Sequence, residues 1–131
     1  MRALAFITFA LLPFGLVGCA TRTPDYRAIV AQIRNEHVTW DGNYFGLYVR
    51  SLGEPEQRVL AAGSPCRPFL IEALGDESRY VAAHVLLTQM EHNYPLSAAE
   101  WNHLRVELHA DGRVEIPSGQ RPEIQRLWTQ K

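Results

Sequence analysis

Apart from its last residue, Lys131, the chain contains no lysine. Its positive charge rests on arginines scattered along the sequence, and 14 acidic residues bring the formal net charge to −1. No basic block or basic tail is present, so the electrostatic footprint of a nucleic-acid binder is missing. Cysteine is almost as scarce, with Cys19 and Cys66 alone. No Cys-x-x-Cys or His-x-x-x-His occurs, the spacings that structural zinc generally uses. No Gly-x-Ser-x-Gly, phosphate loop or dinucleotide fingerprint is found either. The longest uncharged apolar run, Ala3 to Val17, falls short of the roughly 20 residues a membrane-spanning helix needs.

What that run does resemble is a targeting signal. Met1 and Arg2 form a short positive start, and Ala3 to Val17 form an apolar stretch of secretory length. The following Leu16-Val17-Gly18-Cys19 resembles the lipobox of bacterial lipoprotein signal peptides. The resemblance implies removal of residues 1–18 and lipidation of Cys19 by diacylglycerol and a fatty acyl chain such as palmitate. Two or three acyl chains together anchor firmly, whereas one is marginal. Ala20 rather than Asp follows the cysteine, which points to the periplasmic side of the outer membrane. Residues 19–24 then form a lipidated tether, of which residues 20–24 span at most ~17 Å at ~3.3 Å per residue.

Removing 18 of 131 residues leaves 113, suited to a single domain over residues 25–131. With Cys19 lipidated, Cys66 has no internal disulfide partner and is expected to be buried.

Thr23, Pro24 and Asp25 are expected to start a helix whose Tyr26, Ile29, Val30 and Ile33 share a face. Asp41-Gly42-Asn43 reads as a turn. Phe45, Tyr48, Val49 and Leu52 follow at helical spacing and are expected to form a helix ended by Gly53, although the β-branched and aromatic content also permits a strand. A further helix is expected from Pro55 to Gly63. Ser64 and Pro65 should open the next, with Cys66, Phe69, Leu70 and Leu74 inward. Gly75-Asp76 breaks it. A second helix then turns Val81, Ala82, Val85, Leu86 and Met90 inward, closing a helical hairpin.

Residues 60–90 resemble a HEAT-like repeat through Gly63, Pro68, Leu70-Ile71, Leu74, Gly75-Asp76, Val81, Ala82-Ala83 and Leu86. The resemblance implies a mainly α fold of HEAT-like antiparallel helix pairs. A small C-terminal β-hairpin (about 103–117) and a terminal helix complete the expected domain. In that hairpin a three-residue loop, Ala110-Asp111-Gly112, pairs Leu108 with Val114 and keeps Leu104, Val106 and Leu108 on one apolar face. Ser97 and Glu100 form a capping box before it. Ile124, Leu127 and Trp128 are expected inward on the last helix.

Chemistry is sparse in this pattern. His84 and His92 lie eight apart, and His103 and His109 lie six apart on one strand, roughly 20 Å. Neither pair can share one ion, so no metal or cofactor is expected. Cys66 with His84 as base is the one nucleophile–base arrangement, but a buried cysteine behaves as a small hydrophobe. Glu107 and Glu115 face each other on solvent, eased by Arg105 and Arg113. No catalytic residue is assigned. Trp40, Tyr44 and Tyr48 are the candidate binding residues, because aromatic clusters make interface hot spots; packing on the domain core is the competing reading.

Together these readings suggest a lipid-anchored envelope protein that is not an enzyme. It would serve as a small protein-binding or scaffold module, in a narrower form an inhibitor or immunity-type lipoprotein. The alternative is a cell-envelope enzyme or processing factor using His and Glu residues.

Overall fold

The computed structural model describes residues 23–44, 46–92 and 100–131. The signal segment, Cys19, Phe45 and Ser97 of the expected capping box lie outside them.

The first helix, α1 (Tyr26–Val30), is capped by Asp25, whose Oδ1 accepts from the Ala28 amide at 3.0 Å. The expected cap, Thr23, lies two residues too early. Val30 and Ile33 are buried.

The segment expected to be helical after the Asp-Gly-Asn turn is instead a β-hairpin. Strand β1 (Thr39–Asn43) pairs antiparallel with β2 (Gly46–Ser51), with Trp40 opposite Val49 and Gly42 opposite Leu47. Asp41, Gly42 and Asn43 lie in β1, and the turn falls at Tyr44. Leu47 is buried, and Tyr48 and Val49 on opposite sides of the strand are both half-buried. Aromatic and β-branched side chains suit that pleated, half-covered surface.

Helix α2 (Glu54–Ala62) carries Pro55 in its first turn and ends at Gly63, whose φ of +71° suits glycine. A 3₁₀ turn, Ser64–Cys66, leads into α3 (Arg67–Ala73), and the Ser64 side chain makes no capping bond. Cys66, Leu70 and Leu74 of the apolar stripe are buried, with Ala73 beside them, whereas Phe69 is only half-buried. After Gly75-Asp76 comes α4 (Tyr80–Glu91), in which every residue from Tyr80 to Thr88 is buried.

That burial overturns the HEAT-like, mainly α expectation. A HEAT-like pair stacks one layer on the next, leaving faces for neighbouring repeats. Here α4 is a central helix, touched by α2, α3 and the turn at Asn35–His37. The elements beside the α3–α4 pair are hairpins as well as helices. Five α-helices and three two-stranded antiparallel hairpins among the described residues make the fold mixed α/β.

The buried N-terminus of α4 is capped from a distance. Its flanking residue Arg79 makes no side-chain capping bond and pairs with Asp76 at 2.9 Å instead. Asn35 Oδ1 accepts from the Val81 and Ala82 amides at 3.0 and 3.3 Å, and Asn35 Nδ2 donates to the Glu77 carbonyl at 2.7 Å.

The C-terminal third holds two hairpins in place of one. Strands β3 (Glu100–Trp101) and β4 (Leu104–Arg105) pair around Asn102 and His103, both at positive φ. Strands β5 (Glu107–Leu108) and β6 (Val114–Glu115) pair Leu108 with Val114 across Ala110-Asp111-Gly112, with Gly112 at φ +83°. The expected register holds, but the apolar face does not run its full length. Leu104 and Val106 are buried, whereas Leu108 is half exposed. At Leu108 the strand lies against the first hairpin, at Gly42. Gln120 closes this region. It accepts from Arg105 N at 2.6 Å and donates to Arg105 O at 2.9 Å, standing in for a missing strand on β4. Helix α5 (Arg121–Thr129) buries Ile124 and Trp128 and packs on α3, with Leu127 half-buried.

Candidate functional site

The three aromatic candidates of the first hairpin separate. Trp40 is half-buried, its ring edge-on to Trp101 with centroids 6.2 Å apart and planes at 89°. Tyr48 is half-buried opposite Asp41. Tyr44 alone is fully exposed, at the turn.

Leu108, which the sequence places inward, joins Tyr44 on the surface. A Cβ on Gly42 would sit 3.1 Å from Leu108 Cδ2 and 3.5 Å from Leu47 Cδ2. The bare backbone at Gly42 thus lets the tip of the third hairpin rest on the first. Tyr44 and Leu108 are the large apolar side chains left exposed among the described residues. No local signal marks Leu108 as exposed, because its alternation with Leu104 and Val106 is perfect.

The histidines have distinct fates. His84 is fully buried, and the Trp128 indole N–H donates to its Nδ1 at 2.7 Å. An indole nitrogen only donates, so Nδ1 carries no proton and Nε2–H donates to the Trp101 carbonyl at 3.1 Å. Burial pushes the imidazole down to about 4, against the opposing pull of the Trp101 and Asn102 backbone. Both ring nitrogens are therefore committed, and His84 cannot serve Cys66 as a base. Cys66 is itself buried, and that burial raises its thiol above the usual range.

Glu107 faces Glu115 as expected. The relief comes from His109, whose Nε2 lies 2.9 Å from Glu115 Oε2. Arg113 is taken by Asp111 at 2.7 Å.

One carboxyl that the sequence does not single out is fully buried. Glu56 Oε1 accepts from Arg34 N at 2.8 Å and lies 3.0 Å from His37 Nδ1, while Oε2 has no hydrogen-bond partner. A Cβ on Gly53 would come 2.6 Å from that Oε2, so glycine there makes room for the carboxyl. His37 keeps about a third of its side chain exposed.

Compared with known proteins, the chain matches no family model, no curated relative and no solved structure. Among the described residues no three His, Cys, Asp or Glu side chains gather as a metal site, and no helix is long and apolar enough to cross a membrane.

Proposed function

We propose that this protein is a lipid-anchored component of the bacterial envelope that binds a partner protein through the Tyr44–Leu108 surface. The lipobox Leu16 to Cys19 supports the anchor, and the absence of Asp after Cys19 supports the periplasmic side of the outer membrane. The observation that carries the binding role is the joint exposure of Tyr44 and Leu108 where two hairpins meet. Tyrosine gives a large contact area at low entropic cost, and Leu108, exposed on the hairpin that packs at Gly42, adds aliphatic area. The rival reading, an envelope enzyme working through His and Glu, draws on His37 and Glu56. Neither residue lines the cavities bounded by Arg67 and Gln89, by His103 and Arg126, or by Arg27 and Glu72.

A photo-reactive residue replacing Tyr44 in the full-length protein tests the surface in cells. Irradiation should give one adduct of defined mass that Leu108→Asp abolishes, while the same probe at Glu123 on α5 gives none. Equal adducts at both positions, or an adduct indifferent to Leu108→Asp, would remove the surface from the reading. For the anchor, Cys19→Ser should release the protein from the membrane fraction; retention there would refute lipidation.

A further inference from the structure

A cavity of about 520 Å³ opens where α2 and α4 both end, separate from the Tyr44 surface. Leu60 and Met90 supply apolar wall, Gly63 forms part of the rim, and Arg67, Gln89 and Glu91 supply polar groups. Its size and mixed lining are those of small-ligand sites, which combine apolar surface with a few placed polar groups.

The charges around it are held in place. The Arg67 guanidinium lies 5.4 Å from the Trp128 ring centroid and the Lys131 ammonium 4.6 Å from it. Trp128 is itself fixed by its bond to His84, so both cations rest on a rigid ring. Lys131 is taken by Glu91 Oε2 at 2.6 Å, which holds that carboxyl below its usual range. Arg67 makes no such pair among the described residues. The Gln89 carbonyl oxygen is also unspent, since Oε1 is buried without a hydrogen-bond partner. A buried acceptor left so is costly, and an incoming donor recovers that cost. A half-turn of the amide presents either its oxygen or its nitrogen.

We infer that this cavity binds a small zwitterion of dipeptide size. Its carboxylate pairs with Arg67, its ammonium meets Gln89 and Glu91, and its side chains lie on Leu60 and Met90. An inorganic anion would satisfy Arg67 but leave Gln89 and the apolar wall uncovered. A purely apolar ligand would strand the guanidinium. The planar fork of arginine suits a carboxylate bidentately.

Calorimetric titration of the full-length protein in detergent tests this with three probes: leucyl-leucine, its N-acetyl form and its C-terminal amide. Leucyl-leucine should bind saturably, and each blocked form should bind about tenfold more weakly, the loss of one charge-assisted contact. Arg67→Gln should weaken leucyl-leucine about tenfold and erase its advantage over the amide. Gln89→Met should erode its advantage over the N-acetyl form. If Arg67→Gln fails to fold, the wild-type comparison and Gln89→Met still decide. Absence of saturable binding by leucyl-leucine, or equal binding of all three probes, overturns the inference. Either result leaves the Tyr44 surface untouched.

Discussion

Trp128 and His84, 44 positions apart in the chain, meet through a 2.7 Å hydrogen bond that dictates which nitrogen of the histidine carries the proton. The bond joins α5 to the central helix, and the Nε2–H of the same ring reaches the Trp101 carbonyl on β3. A neutral imidazole satisfies both partners. A second proton on Nδ1 would oppose the indole N–H.

Acid should therefore unfold this protein earlier than its carboxylates alone require. An unfolded histidine titrates near 6.5, whereas His84 in the fold does so at about 4. The unfolded chain takes up the proton first, so stability is full above pH 6.5 and declines as pH falls through the window to about 4. The loss is about 3 kcal/mol at 1.36 kcal/mol per pK unit. Carboxyls such as Asp76 and Glu91, which the fold holds below their usual range, give up their share at lower pH. Urea unfolding at pH 7.5 and 5 should show the slope, and His84→Phe should flatten it. An unchanged slope in that variant would place the acid sensitivity elsewhere.

Asn35 should act as a cap for α4 although 46 residues separate it from Val81. Asn35→Ala leaves two buried amides without that acceptor and should cost about 1–2 kcal/mol. Asn35→Asp keeps the acceptor but loses the donor to the Glu77 carbonyl, and should fall between wild type and alanine. Arg58→Ala, exposed on α2, is the control and should stay within about 0.5 kcal/mol. Urea melts at pH 7 compare the three. Equal midpoints for Asn35→Ala and Arg58→Ala would mean that α4 does not depend on this cap.

The second and third hairpins should rank four substitutions in a set order by thermal melting. Leu104→Ala empties a fully buried site and should cost about 2–4 kcal/mol. Gly112→Val forces a β-branched residue to φ +83° and should cost about 1–3 kcal/mol, with Gly112→Asn cheaper. Leu108→Ala should cost about 1 kcal/mol or less, because half of that side chain is already in water. A larger loss at Leu108 than at Leu104 would reverse the assignment of the buried face.

Much of the helical framework is legible in short stretches of sequence. Pro55 and Gly63 bracket α2 correctly, and Gly75-Asp76 separates α3 from α4. Ile124 and Trp128 mark the inner face of α5. The loop at Ala110-Asp111-Gly112 is readable because only one loop length keeps Leu108 opposite Val114. The first hairpin carries two competing patterns. Phe45, Tyr48, Val49 and Leu52 satisfy helical spacing, while the alternation of Leu47 and Val49 supports a strand over too few residues to prevail. Of the candidate binding residues, the composition pointed to the aromatics together. Only packing separates exposed Tyr44 from Trp40, which lies edge-on to Trp101.

By itself the sequence determined what acts within a turn or two of the chain: prolines that open helices, glycines that close them, and the spacing of apolar side chains. These cues are local because each works through its own backbone angles or a near neighbour's hydrogen bond. Tertiary structure decided how distant polar groups were satisfied. Asn35 caps α4, Gln120 completes β4, Trp128 sets the tautomer of His84, and Gly53 makes room for the buried carboxyl of Glu56. The physical reason is desolvation. Once the apolar stripes had packed, each polar group drawn inward with them lost its water, and most then bonded to whatever donor or acceptor the packing had brought within reach.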